Sequence, residues 1–76
     1  MMVERQIKLF EASDVQKFVN AASRCDFDID VFYNRVVVDA KSILGVFSLD
    51  LTRTLTVRCN GHDDRFDKFL QQYAVA

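Results

Sequence analysis

The apolar residues of this chain switch repeatedly between a spacing of two and a spacing of three to four, which restricts the fold to layers of short strands and helices. Phe27, Ile29, Val31 and Tyr33 alternate with Asp26, Asp28, Asp30 and Phe32, the pattern of a strand with one dry face and one wet face. Leu55, Val57 and Cys59 alternate in the same way with Thr54, Thr56 and Arg58. Ile7 and Leu9 give a shorter version within residues 4–10. Elsewhere the period lengthens. Val15, Phe18, Val19 and Ala22 recur at i, i+3, i+4 and i+7, and so do Phe66, Phe69, Leu70 and Tyr73; each set makes one apolar stripe along a helix.

Local signals divide these stretches. Ser13-Asp14-Val15-Gln16 fits a capping box and predicts that the first helix opens at Ser13. Asn34-Arg35 predicts a tight turn into a strand over residues 36–40. Ser42 is positioned to cap a short apolar helix running from Ile43 to about Leu49, and Asn60-Gly61-His62 turns the chain into a last helix capped by Asp63. The resulting order is β-α-β-β-α-β-α. Strands with one polar face require helices on only one side, so the expected class is α+β, an open-faced sandwich related to the split βαβ arrangement. With no Pro, two distant Gly (Gly45 and Gly61) and no repeat, residues 1–76 are expected to form a single domain.

A chain of 76 residues buries only about 60% of its unfolded surface, enough for one core and little enclosed space. Ten Lys and Arg against eleven Asp and Glu give a net charge of −1. No Lys/Arg stripe shows along the sequence, so nucleic acid is not an expected direct partner. The longest apolar runs, residues 36–38 and 43–47, are far too short to span a bilayer. Met-Met-Val-Glu-Arg-Gln at the N-terminus has no apolar signal core. Cys25 and Cys59 are the only cysteines; they read as buried free thiols in a cytoplasmic protein rather than a redox pair.

The tempting chemistry fails on spacing. Asp26-x-Asp28-x-Asp30 resembles the start of a calcium loop, but the sixth and twelfth positions hold Val31 and Val37 where Gly and Glu are needed. On a strand, those carboxylates instead share a solvated face. His62 is the only histidine, too little for a zinc site, and reads as a turn residue. No nucleophile elbow, phosphate-cradling glycine loop or Ser-His-Asp set is present. The residues therefore point to a binding or regulatory module, not an enzyme, with no metal and no cofactor.

The twelve residues from Val38 to Leu49, Val-Asp-Ala-Lys-Ser-Ile-Leu-Gly-Val-Phe-Ser-Leu, resemble almost without gaps the central signature of HPr, the phosphocarrier of the bacterial sugar phosphotransferase system. Lys17-Phe18-Val19-Asn20-Ala21-Ala22 resembles the family's first helix, and Asn60-Gly61-His62-Asp63-Asp64 its turn into the last. The resemblance implies an HPr-like open-faced β-sandwich, a four-stranded antiparallel sheet with three helices on one face. It breaks at the family's chemistry. Members carry Gly-Leu-His-Ala/Thr-Arg-Pro-Ala between the first strand and first helix, where the His accepts phosphate from Enzyme I. Here the stretch is Phe10-Glu11-Ala12-Ser13-Asp14-Val15, with no His, Arg or Pro, and Glu11 and Asp14 repel an incoming phosphoryl group.

The family's second site is present in the sequence. Ser42 matches the serine modified by HPr kinase/phosphorylase in Gram-positive members, whose phosphorylated form, like that of a paralogue lacking the His, assists a catabolite-control repressor. A helix N-cap suits a phosphoserine, yet Ser is favoured there without any phosphorylation. Ile43, Leu44 and Phe47 match the apolar face with which the family meets its partners, Lys41 is a further candidate contact, and a short helix cannot bury Ile43, Leu44, Val46 and Phe47 together. The resemblance thus implies a regulatory, protein-binding family member with Ser42 as the candidate switch and one of those two proteins as partner, monomeric or homodimeric. The alternatives are a carrier using another acceptor, such as Ser13 or His62, and a structural or homodimeric remnant with no phosphorylation.

Overall fold

The seven elements anticipated from the periodicity form in the expected order. The computed structural model describes residues 2–75. Strands β1 (Val3–Ile7), β2 (Ile29–Tyr33), β3 (Val36–Asp39) and β4 (Leu55–Cys59) alternate with helices α1 (Ala12–Ser23), α2 (Ile43–Phe47) and α3 (Asp64–Gln71). The sheet order is β1-β4-β2-β3, and every neighbouring pair is antiparallel.

Register follows from the period of two. Ile29 lies opposite Cys59 and Val31 opposite Val57, all buried in the core with Phe18, Val46, Phe66 and Leu70 from the three helices. On the other face Asp30 lies opposite Arg58 and Phe32 opposite Thr56. That open face is tied together by Arg58, whose Nε is 2.9 Å from Glu4 and whose guanidinium lies 4.7 Å from the Phe32 ring centroid. Asn34 turns the β2–β3 hairpin with φ of 52°, a conformation that Asn tolerates better than most residues.

Several boundaries differ from the sequence reading: β3 stops at Asp39 rather than residue 40 and α2 at Phe47 rather than about Leu49, and three further differences have a visible cause. Strand β1 ends at Ile7, yet Leu9 is buried. The C-terminal segment supplies the pairing there: Lys8 N donates to Tyr73 O, Val75 N donates to Gln6 O, and Ile7 bridges Ala74. Strand β2 begins at Ile29 rather than Phe27, because Phe27 packs on the turn before α3. A Cβ added at Gly61 would fall 2.6 Å from the Phe27 ring, so only glycine allows that approach. Helix α1 is capped at Glu11, not Ser13, which is the second helical residue. The reason is Asp14, whose carboxylate reaches back to the amide of Glu11 at 3.2 Å, leaving the backbone no need of a serine cap.

Candidate functional site

Helix α2 is only five residues long, too short to persist without packing. Val46 anchors it, fully buried beside the sheet. At its start, Ser42 has extended backbone (φ −103°, ψ 108°) and its Oγ accepts the Gly45 amide at 3.2 Å, as the sequence anticipated. Gly45 brings the helix against β3: a Cβ there would sit 3.2 Å from Ser42 Oγ and 3.3 Å from Val38 Cβ. Lys41 is fixed at both ends. Its amide donates to Asp39 Oδ1 at 2.9 Å and its ammonium donates to the Cys25 carbonyl at 2.8 Å. Lys41 therefore ties the segment to the end of α1 instead of projecting into solvent.

With Val46 inward, the other apolar residues of α2 are distributed as the count on a short helix requires. Ile43 is half-buried against the core, whereas Leu44 is 80% exposed and Phe47 is 44% exposed. Ser42 is exposed beside them. Leu44 and Phe47, three residues apart, share one exposed side of α2, and the exposed Ser42 stands at the N-cap of the same helix.

The second relevant place is the entry to α1. Asp14 accepts from the amides of Phe10 at 3.1 Å and Glu11 at 3.2 Å, and from the Tyr73 hydroxyl at 3.1 Å. Desolvation would raise its pKa, but the hydrogen bonds from Phe10, Tyr73 and Glu11 outweigh that and hold it below the ordinary 3.8. Tyr73 is pushed up, first by desolvation and then by donating to the Asp14 carboxylate. The Phe10 and Glu11 amides just before α1 are thus occupied by the chain's own carboxylate. Sequence reasoning missed this role of Asp14; the signal was an acidic residue three places after the cap, masked by the more usual cap candidate Ser13. It also missed Phe10, which is 73% exposed with the Lys8 ammonium 5.7 Å from its ring centroid.

The remaining candidates lie apart. Ser13 is exposed on the first turn of α1. His62 lies before α3, with its Nε2 3.6 Å from Asp64 Oδ1. Cys25 and Cys59 are both free and buried. Desolvation pushes the Cys59 thiol up to about 11, and desolvation followed by the nearby Asp63 charge raises Cys25; neither is a ready nucleophile. Among the described residues no group of three or more His, Cys, Asp or Glu is placed to hold a metal ion. No helix among them is long and apolar enough to cross a membrane.

Comparison with known proteins gives this geometry a context. The profile of a family described as "PTS HPr component phosphorylation site" matches residues 10–71. The crystal structure of HPr-C-His from Thermoanaerobacter tengcongensis superposes with a TM-score of 0.70 at 28% identity, covering 95% of this chain and 88% of that one. The phosphocarrier protein HPr from Bacillus anthracis strain Ames gives 0.74 at 26% identity, covering 97% and 98%. Crh, the catabolite-repression protein of Bacillus subtilis, solved as a domain-swapped dimer, gives 0.65 at 23% identity, covering 92% and 88%; at that identity the likeness concerns the fold.

Proposed function

The chain belongs to the HPr family, whose members are phosphocarriers rather than enzymes, and from that premise we propose that it is a regulatory, protein-binding member that does not carry phosphate on histidine. Leu44, Phe47 and the edge of Ile43 meet the partner, Ser42 is the phosphorylation switch, and Lys41 holds the segment in place from behind. The observation that carries this reading is the exposure of Leu44 at 80% beside a solvent-facing Ser42. An apolar side chain held out on a fixed, packed helix is suited to a protein contact. Phosphorylation would place up to about two negative charges at the edge of that contact, enough to change which partner it accepts.

The loss of histidine transfer is supported by two features. The only histidine lies in the turn before α3. At the start of α1, the Asp14 carboxylate accepts the Phe10 and Glu11 amides that could otherwise face a phosphoryl group. Partners of the expected kind are HPr kinase/phosphorylase and a catabolite-control repressor, encountered in the cytoplasm.

Incubation with Enzyme I and phosphoenolpyruvate tests this reading. No acid-labile phosphate is expected on the protein; its appearance would restore a carrier role through Ser13, His62 or another acceptor. A second reading, a homodimer closed through Leu44 and Phe47, draws on the same exposed residues. Sedimentation of wild type and Phe47→Glu separates it: a dimer that dissociates in the variant supports it, and a monomer in both removes it.

A further inference from the structure

Helices α1 and α3 pack through Phe18 and Phe66, with ring centroids 6.1 Å apart, and leave between them a cleft of about 510 Å³. Part of its lining is apolar: Phe66 and Phe69 belong to it, their rings stacked at 10° with centroids 6.4 Å apart. Lys17 and Arg24 from α1, and Arg65 and Lys68 from α3, also line it. The carboxylate in the lining is Asp63, already committed to the Phe66 amide at 2.9 Å. Four cations against one carboxylate leave a local charge of +3 on a protein whose net charge is −1.

These four cations differ from the others in what they contact. Arg5, Arg53 and Arg58 pair with carboxylates, and Lys8 and Lys41 donate to backbone carbonyls. Among the described residues, Lys17, Arg24, Arg65 and Lys68 form no such bond, and of the remaining cations only Arg35, in the β2–β3 turn, shares that state. The linear sequence shows no basic stripe because the cluster is assembled from two helices that are distant in the chain.

We infer that this cleft binds a small organic diphosphate carrying a planar ring. The ring packs on Phe69, while the unpaired Arg and Lys side chains hold the phosphates. Guanidinium groups suit phosphate because two of their N–H groups can donate in parallel. Size favours a small molecule: ligand sites occupy about 300–1,000 Å³, and an eight-residue α3 is about 12 Å long, too short to follow a nucleic-acid backbone over many phosphates. Ser42, Ile43, Leu44 and Phe47 do not line the cleft, so its test does not depend on the function proposed above.

Adenosine diphosphate, pyrophosphate and adenosine serve as probes, titrated into ¹⁵N-labelled protein. ADP is expected to shift amides within residues 20–25 and 65–69 and to bind more tightly than either fragment. Arg24→Gln and Arg65→Gln should each weaken it about tenfold, with Arg35→Gln, which removes the same charge elsewhere, leaving it unchanged. All three are exposed positions, and a thermal melt confirms that each variant is folded. The inference is overturned if ADP does not bind, if Arg35→Gln weakens it equally, or if pyrophosphate binds as well as ADP. A single-stranded oligonucleotide binding in preference to ADP would also overturn it.

Discussion

At the scale of single residues, Asp14 and Ser42 show how one hydrogen-bonding side chain decides the use of a helix start. Asp14 accepts from Phe10 N, Glu11 N and Tyr73 Oη, bonds that favour its ionised form. Its folded pKa therefore lies below the ordinary 3.8. The contribution is fully present above the unfolded value and is lost as pH falls through the folded one. Acid titration followed by circular dichroism should show Asp14→Asn losing less stability than wild type as the pH drops below about 4. Ser42 makes a single cap bond, to Gly45 N, so Ser42→Ala should cost about 1 kcal/mol in urea unfolding. Leu44 is largely exposed; Leu44→Ser should change stability by less than about 0.5 kcal/mol while removing partner binding. A loss of binding accompanied by a large loss of stability would assign Leu44 to the core instead.

Among the elements, α2 depends most on its neighbours. A Cβ at Gly45 would meet Ser42 Oγ and Val38 Cβ at the limit of close packing, so Gly45→Val should push α2 off β3 and cost about 1–3 kcal/mol by denaturant unfolding. Helix α1 depends on Phe18, which is fully buried against Phe66; Phe18→Ala should cost about 3–5 kcal/mol. These elements were legible in the sequence because their apolar spacing is local. Strand β4 matches its expected limits because Leu55, Val57 and Cys59 face one core throughout. The end of β1 was not legible, since the burial of Leu9 and the pairing of Ile7 with Ala74 depend on the far end of the chain. The start of α1 was misread because Ser is the commoner cap, and only the folded backbone shows Asp14 reaching Glu11. At the site, the exposure of Leu44 and Phe47 could be foreseen by counting apolar residues on a short helix. That Lys41 spends its ammonium on the Cys25 carbonyl could not, because the contact joins two separate elements.

Across the whole molecule, 76 residues at about 0.05–0.15 kcal/mol each give a total stability of about 4–11 kcal/mol. Loss of Phe18 alone approaches the lower limit, so that variant should be partly unfolded at 37 °C. The same margin keeps the two thiols sealed. With Cys59 pushed up to about 11 by desolvation, it should react with Ellman's reagent at pH 8 only as the protein opens, and faster in Phe18→Ala than in wild type; equal, rapid labelling in both would show that the thiol is accessible in the native fold. The architecture thus keeps its interior closed and presents Ser42, Leu44 and Phe47 on the outside, while Asp14 occupies the Phe10 and Glu11 amides just before α1. The most direct test is intact-mass spectrometry of the folded protein after incubation with HPr kinase/phosphorylase and ATP, with Ser42→Ala alongside. The account predicts one phosphate on wild type and none on the variant; no phosphate on wild type, or an equal phosphate on Ser42→Ala, would contradict Ser42 as the switch.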